Sequence, residues 1–393
     1  MLVRPTNHKV IIDQFHSIGY EIDLKDGCIL VSNIPYINKD KTIKKGVLVC
    51  PLNIIQNNIV QPKDHVMHFI GEEPCDKNGT RVPVFIIGQS HKLSANILSN
   101  FTFSNKPKTP FKSFLEKFES YIRLISSYVE EVDENIKPQS FRALNISSNN
   151  SSLNYLDTNS TRSSVLHITE KVKNMKIGLI GLGGTGSYIL DKLAKNPIEE
   201  IHLFDGDDFF QHNAFRSPGA ASFEELGEST TKVNYFHRTY SKMHNGLIKH
   251  NYYITEQNIN ELNHLNFVFI SIDKGEIKKL IIEHLQKLNI PFIDTGIGVS
   301  KINEKLNASI RITSSDNLNK NHIWESKRIS FFDPNQDDIY QSNIQIAELN
   351  SLNADLAIIK WKKMIGIYSD NIFEYQTIYN IAHNDILNED YGT

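Results

Sequence analysis

The pattern of apolar and polar positions predicts an α+β domain in residues 1–134. Short apolar runs with strand character occur there, at 19–24, 28–34, 46–52 and 65–71. Lys25-Asp26-Gly27 separates the first two runs and has the composition of a tight hairpin turn. Apolar residues three and four positions apart over 111–132 predict a helix with one buried face.

Residues 171–393 show a different pattern, in which predicted strands and helices alternate. Extended segments are predicted at 176–180, 200–205, 251–255, 267–273 and 290–296. Helices are predicted at 184–195, 229–248, 275–288 and 343–365. This α/β alternation, with a continuous apolar strand at 267–273, predicts a Rossmann-like domain with a mainly parallel sheet.

Two polar segments interrupt these patterns. Residues 135–170 are rich in Asn and Ser, which predicts a linker or docking segment between the two domains. Residues 314–342 are polar and irregular, which predicts a substrate-facing loop inside the second domain.

The composition is that of a soluble globular protein: 40% of the 393 residues are hydrophobic and 22% are charged. A net charge of −3 argues against a nucleic-acid or membrane-surface binder. No apolar run approaches the length of a membrane span. The three cysteines form no CxxC pair, which favours a reducing, cytoplasmic setting, and none of the 15 histidines has a convincing metal-ligand spacing.

A glycine-rich loop between a predicted strand and helix carries the first chemical signal. It contains Gly181, Gly183, Gly184 and Gly186 in the frame GxGxxG. Gly181 permits a tight turn, Gly183 permits close approach of a ligand, and Gly186 permits the helix to pack on the strand. The helix N-terminus presents free N–H groups to phosphate, and Asp205 ends the next strand, where an acid binds a ribose hydroxyl. The arrangement predicts nucleotide binding.

The segment after Asp205 resembles the ThiF, MoeB and ubiquitin-activating family, which carries D-x-D-x-V-x-x-S-N-L-x-R at this point. Asp205, Asp207, Asn213 and Arg216 match that segment at the same spacing. The chain departs from it at His212, where the family commonly has Ser, and at Ala214, where it commonly has Leu. The resemblance continues over most of residues 175–300 and includes Lys232 and Asp273.

The resemblance implies ATP- and Mg²⁺-dependent adenylylation of a carboxyl group, and the residue types suit that chemistry. Arg216 can fork onto phosphate oxygens, and Lys232 can act as a mobile point charge. Asp273 can hold Mg²⁺, which prefers carboxylate and phosphate oxygens. Asp205 and Asn213 would bind ribose or phosphate, and His212 would touch the ligand. Taken singly, each of these residues could instead have a purely structural role as a surface cation, helix cap or turn residue.

The resemblance also implies partners. The substrate would be the C-terminal carboxylate of a ubiquitin-like or sulfur-carrier protein, and the N-terminal domain would recruit that carrier or a conjugating enzyme. That domain resembles one found in front of some bacterial ThiF-type proteins. In the family, an arginine before the glycine loop reaches the partner protomer's phosphates; Arg162 is the candidate, and this role requires a homodimer.

The family's thioester cysteine has no counterpart in the predicted nucleotide domain, because no cysteine follows residue 75. The acyl-adenylate could pass to a partner, form an oxyester with a Ser or Thr, or reach Cys75 in a turn-rich loop. Glu72, Glu73 and Asp76 flank Cys75 and would disfavour its thiolate, so an ordinary loop or packed thiol is the simpler interpretation.

Two other classes of function stay open at the level of sequence. One is a tRNA-modifying or non-catalytic nucleotide-binding relative, against which the acidic net charge counts slightly. The other is an NAD-dependent oxidoreductase, which would leave Asn213, Arg216 and Lys232 unexplained.

Overall fold

The computed structural model describes residues 7–55, 58–82, 85–142, 151–155, 157–162, 166–331 and 344–392. They form two compact units, the first comprising residues 1–145 and 155–166 and the second comprising residues 146–154 and 167–393. Within these described ranges, no helix is both long enough and apolar enough to cross a bilayer.

The first unit is built on an antiparallel sheet. Its strands are β1 Glu21–Lys25, β2 Cys28–Ile37, β3 Ile43–Pro51, β4 Ile54–Ile55, β5 Asn58–Ile59, β6 Val66–Ile70, β7 Phe85–Lys92 and β8 Leu98–Ser104. Six of them pair in the order β1-β2-β3-β6-β8-β7, and β4 and β5 form a separate ribbon. The β1–β2 turn has Asp26 and Gly27 at positive φ, the conformation that favours a two-residue hairpin, so this predicted hairpin is confirmed.

Three helices accompany this sheet: α1 Asn7–Ser17, α2 Phe114–Glu130 and α3 Thr158–Arg162. Ser113 caps the N-terminus of helix α2: its side chain accepts a hydrogen bond from the Glu116 N–H and so satisfies a free donor of the first turn. Phe118 and Tyr121 on its apolar face are buried in the core of the unit. The predicted α+β character of the N-terminal region is thereby confirmed.

The second unit contains an eight-stranded sheet in the order β11-β10-β9-β12-β13-β14-β15-β16. The strands are β9 Lys176–Ile180, β10 Glu200–Phe204, β11 Leu247–His250, β12 Phe267–Ile270, β13 Phe292–Ile302, β14 Lys305–Ser315, β15 Glu374–Asn380 and β16 Asp385–Tyr391. The first five in spatial order pair in parallel, and the remaining pairs are antiparallel. The predicted α/β fold with a mainly parallel sheet is confirmed.

The second unit also carries most of the helices. They are α4 Leu166–Thr169, α5 Gly184–Leu193, α6 Gln211–Ala214, α7 Phe223–Gly227, α8 Lys232–Tyr240, α9 Gly275–Leu288, α10 His322–Glu325 and α11 Ala347–Met364, with 3₁₀ turns at Glu170–Val172 and Ile259–Leu262. Helices α5 and α11 pack together over the central strands, and the fully buried Trp361 contributes to their shared core.

Four sequence predictions in this unit differ from the structure. The helix predicted at 229–248 is limited to Lys232–Tyr240, and the strand expected at 251–255 lies earlier, at Leu247–His250. The strand predicted at 290–296 continues into a long β13–β14 hairpin, whose turn uses Asn303 and Glu304 at positive φ instead of glycine. The predicted loop at 314–342 contains helix α10, and its residues 332–342 lie outside the described ranges.

We expect the second unit to lose stability as the pH falls from about 6.5 towards 4, partly because of His244. This side chain is fully buried, and its Nδ1 accepts a hydrogen bond from the Gly246 N–H. Burial lowers the pKa of His244 from its ordinary value of 6.5 to about 4. The unfolded chain therefore binds a proton more readily across this interval, which favours unfolding.

The measurement is the free energy of unfolding of the second unit against pH, in the wild type and in His244→Asn. Asparagine can still accept the Gly246 N–H hydrogen bond but does not titrate. We expect a shallower decrease in stability below about pH 6.5 in the variant. An unchanged slope would show that His244 does not contribute to acid unfolding.

Candidate functional site

The glycine loop lies at the carboxyl end of strand β9, where strands β9, β10 and β12 end side by side. Gly181 has φ of +92°, and a Cβ there would lie 2.3 Å from the Ser271 carbonyl oxygen. A Cβ on Gly186 would lie 1.9 Å from the Gly181 carbonyl oxygen. The predicted steric roles of these two glycines are confirmed, because neither position has room for a side chain.

Gly183 differs from its neighbours, since a Cβ built there would meet no atom within 4 Å. It is the residue immediately before α5, so its open side faces the space beyond the free N–H groups of the first helical turn. That space is a cleft with a volume of about 490 Å³. A phosphate could approach the backbone closely here.

Asp205 connects the glycine loop to the end of β10. Its Oδ2 accepts a hydrogen bond from the Leu182 N–H at 2.7 Å, and its Oδ1 accepts one from the Asp207 N–H at 2.8 Å. Burial raises the pKa of Asp205, although Lys232 and these two N–H groups oppose that shift. Each carboxylate oxygen can accept more than one hydrogen bond, so the carboxylate remains able to accept a ribose hydroxyl.

Lys232 begins helix α8 and extends into the cleft between two acids. Its Nζ lies 2.6 Å from Asp207 Oδ2 and 3.9 Å from Asp205 Oδ1. The Tyr253 hydroxyl donates to the other oxygen of Asp207. Burial alone would raise the pKa of Asp207, but the hydrogen bonds from Lys232 and Tyr253 outweigh it and lower this pKa. A buried, ion-paired ammonium group therefore lies beside the glycine loop.

Arg216 and Asp273 both line the cleft but come from different parts of the chain. Arg216 follows helix α6, and Asp273 follows strand β12. Arg216 is partly buried, and its Nε has no hydrogen-bond partner among the described residues. Burial lowers the pKa of Arg216, opposed by Asp273 and Asp207, and the guanidinium remains charged. Asp273 is exposed, and its carboxylate lines the cleft on the side of strand β12.

The structure brings most of the predicted site residues together. Those that line the cleft are Gly181, Gly183, Gly184, Asp205, Asp207, Arg216, Lys232 and Asp273. Gly186 lies under the loop. Asn213 is buried, and its Oδ1 accepts a hydrogen bond from the Phe210 N–H at the start of α6. His212 is exposed and lines a separate depression together with Phe215.

Two predicted residues belong to the first unit. Arg162 is the last residue of α3, and its side chain lies outside the described part of the structure. Cys75 is buried, and burial first, then Glu73 and Asp76, raise the pKa of its thiol. This environment disfavours the thiolate that an acyl acceptor needs. The roles proposed for both residues stay predictions.

Sequence reasoning missed a group of asparagines on α11. Asn350 and Asn353 are buried three residues apart on this helix and line the cleft. The Thr185 hydroxyl donates to Asn350 Oδ1 at 3.1 Å, and Asn353 Nδ2 lies 3.3 Å from Thr185 Oγ1 and 3.3 Å from the Gly296 carbonyl oxygen. The available signal was two amides on the face that the helix otherwise fills with apolar residues.

Sequence reasoning also did not predict a buried cluster in which two cations pair with one carboxylate. Asp294 is fully buried, with Lys278 Nζ 3.2 Å from its Oδ1 and Arg311 Nη2 2.6 Å from its Oδ2. Lys278 lines the cleft, as does Lys274, whose ammonium lies 4.6 Å from the centroid of the Tyr253 ring. Because two cations face one buried carboxylate, this side of the cleft favours anions.

A glycine loop at a helix N-terminus, with an acid on the next strand, defines the nucleotide-binding class of Rossmann-like domains. Residues 158–303 match the model of the ThiF family. The chain therefore contains a ThiF-family domain. Residues 12–158 match a family described only as a domain of unknown function, DUF6791. No curated protein matches the sequence.

Solved structures of similar fold include two of E. coli MccB and one of PaaA. MccB with MccA is 19% identical, with a TM-score of 0.45, over 72% of this chain and 84% of that one. MccB with ATP is 18% identical, with a TM-score of 0.44, over 60% and 70%. PaaA is 18% identical, with a TM-score of 0.44, over 57% and 76%. At these values, the family model rather than the structures identifies the domain.

Proposed function

We propose that the ThiF-family domain binds ATP with Mg²⁺ and adenylylates the C-terminal carboxylate of a ubiquitin-like or sulfur-carrier protein. The observation that carries the proposal is the convergence of the glycine loop, Arg216, Lys232 and Asp273 on one cleft. These residues come from four separate places in the sequence, and chance surface charges would not be expected to share one cavity.

The free N–H groups at the start of α5 would bind phosphate oxygens, with Gly183 allowing their close approach. Asp205 would accept a ribose hydroxyl, as an acid at this position does in Rossmann-like sites. Asp273 would hold Mg²⁺, which requires oxygen ligands and commonly shares them between a carboxylate and phosphates. A bound Mg²⁺ would neutralise part of the phosphate charge.

Attack of a carboxylate on the α-phosphate brings two anions together, so catalysis depends on cations and positioning. Arg216 lines the cleft, and its guanidinium can fork onto phosphate oxygens. Lys232 can leave Asp207 for the phosphates, and Asp207 can then keep the Tyr253 hydrogen bond. Pyrophosphate leaves as the carboxyl oxygen bonds to phosphorus, which yields an acyl-adenylate.

We infer that the acyl-adenylate is not converted to a thioester on a cysteine of the adenylating domain. Cys28, Cys50 and Cys75 are the only cysteines of the sequence and all are buried in the first unit. We propose that the acyl group passes to a partner or to a hydroxyl group, with the N-terminal domain recruiting that partner. A homodimer in which Arg162 reaches the other protomer's phosphates belongs to the same proposal.

The first test compares nucleotides by titration calorimetry of the purified full chain with ATP and Mg²⁺ and, separately, with NAD. We expect saturable binding of ATP and much weaker binding of NAD. Lys232→Met should weaken ATP binding, because it removes the cation beside the glycine loop. Lys242→Ala, which removes an exposed lysine just after α8, is the matched control and should bind ATP as the wild type does. Tight NAD binding without ATP binding would replace the proposal by an oxidoreductase.

The second test identifies the acceptor class by exchange of labelled pyrophosphate into ATP. We expect exchange when a ubiquitin-like protein ending in Gly is added, and none with tRNA alone. Exchange that depends on tRNA would instead indicate nucleobase adenylylation. ATP binding without exchange on any carrier would favour a non-catalytic nucleotide-binding protein.

A further inference from the structure

We propose that Glu200, His202 and His264 form a binding site for a divalent transition metal, with zinc as the preferred ion. The three side chains come from the first and third residues of β10 and from the loop before β12. One ligand atom from each lies within 4.8 Å of the others. None of the three lines the nucleotide cleft, so this site is separate from the proposed adenylation chemistry.

The distances fit a tetrahedral ion. His202 Nε2 lies 3.1 Å from Glu200 Oε2 and 3.3 Å from His264 Nε2. Ligand atoms about 2.0–2.1 Å from a tetrahedral Zn²⁺ lie about 3.4 Å from one another. The two measured separations are therefore close to two edges of a zinc coordination tetrahedron, and a small rotation of the exposed His264 ring could shorten the third.

A chain of hydrogen bonds behind His202 orients its ring. Tyr252 lies between two hydrogen-bond partners, with its hydroxyl 2.6 Å from Glu261 Oε2 and 2.7 Å from His250 Nδ1. Its single proton goes to the carboxylate, the stronger acceptor, so His250 Nδ1 must donate to Tyr252. Neutral His250 then accepts through Nε2, which lies 3.0 Å from His202 Nδ1.

His202 therefore donates through Nδ1 and presents the lone pair of Nε2 to Glu200 and His264. A histidine that donates one ring N–H to a hydrogen-bonded partner while the other nitrogen faces the ion is the usual arrangement around metal-bound histidines. A carboxylate oxygen and the Nε2 of His202 are both acceptors in this arrangement, and a cation between them removes their repulsion.

The surroundings also select the coordination mode. Lys176 Nζ lies 2.8 Å from the second oxygen of Glu200, which leaves Oε2 as a single-oxygen ligand. His202 is buried, whereas His264 is exposed, so the ion can enter from solvent on the His264 side. Two histidines and one carboxylate with a solvent-facing fourth position suit Zn²⁺ better than Mg²⁺ or Ca²⁺, which prefer oxygen ligands.

The test uses the full chain, freed of any affinity tag and stripped of metal with a chelator. Zinc binding is measured by competition with a chromophoric chelator, and Co²⁺ is added separately as a spectroscopic probe. We expect one zinc per chain and the intense visible absorption of tetrahedral Co²⁺. His264→Gln and Glu200→Gln are each expected to weaken zinc binding at least about tenfold.

His383→Gln is the matched control, because His383 is an exposed histidine of the same unit that lies outside the cluster. It should bind zinc and Co²⁺ as the wild type does, and circular dichroism should show the same fold in all four proteins. The proposal would be overturned if the wild type did not bind one zinc ion per chain, or if His264→Gln bound zinc as tightly as the wild type. The cluster would then be held together by shared protons.

Discussion

Replacing Gly183 with alanine is expected to weaken ATP binding by about tenfold to a hundredfold while leaving the melting temperature of the second unit unchanged. In the structure, the added methyl group meets no atom within 4 Å, so the folded protein accommodates it. Its effect arises only when phosphate must approach the loop backbone. An extra methyl group in a tightly filled site costs about 1–3 kcal/mol, which corresponds to that range of affinity.

Gly186→Ala is the matched comparison, because it places the same methyl group three residues further along the chain. There the Cβ would lie 1.9 Å from the Gly181 carbonyl oxygen, a backbone atom that cannot rotate away. We expect destabilisation of the second unit by about 3 kcal/mol, with loss of ATP binding as a consequence of the altered loop. The two glycines therefore separate an effect on ligand binding from an effect on folding.

Thermal unfolding and ATP titration of both variants check this pair of outcomes. Gly183→Ala with wild-type ATP affinity would show that the nucleotide does not reach the loop where we place it. A lowered melting temperature in Gly183→Ala would indicate that the space beside Gly183 is closed in solution. Either result would contradict the proposed role of the glycine loop in nucleotide binding.

The sequence predicted this loop well because its requirements are local. Gly181 and Gly186 must be glycine because backbone atoms nearby leave no room for a Cβ. These atoms lie a few residues away or just after the adjacent strand, and the strand and helix that flank the loop follow from periodicity. The cleft residues Arg216, Lys232 and Asp273 were found through a family resemblance, which preserves spacing along the chain. Their convergence on one cleft became visible only in the folded chain.

Features that depend on distant parts of the chain could not be predicted. Asp294 meets Lys278 and Arg311 only because α9 and β14 both pack beside β13. His202 and His264 are 62 residues apart, and no spacing rule joins them, so the sequence predicted no histidine metal site. The β13–β14 hairpin was missed because its turn lacks glycine.

Arg216→Ala is expected to decrease the rate of carrier-dependent pyrophosphate exchange by about two to three orders of magnitude. Arg216 lines the cleft beside the glycine loop and Lys232, which suits a cation that binds the reacting phosphate. Removing a preorganised donor that binds developing charge acts mainly on the rate of the chemical step. ATP affinity should therefore change much less than the exchange rate.

Arg216→Lys distinguishes charge from geometry at the same position. Lysine retains a positive charge but cannot form two parallel hydrogen bonds with phosphate oxygens. We expect partial recovery of exchange relative to Arg216→Ala, and still less activity than in the wild type. Arg123→Ala, which removes an exposed arginine from α2 in the first unit, should exchange at the wild-type rate.

The ratio of these effects locates the role of Arg216 in the reaction. If ATP affinity and exchange fell in parallel, Arg216 would bind the ground state and the transition state equally, and the proposed catalytic role would be wrong. If neither changed, the cleft would hold the nucleotide without using this cation. A large decrease in exchange with nearly constant ATP affinity would mean that Arg216 acts where the carboxylate attacks. The guanidinium of Arg216 would then stabilise a charge that exists only during the reaction.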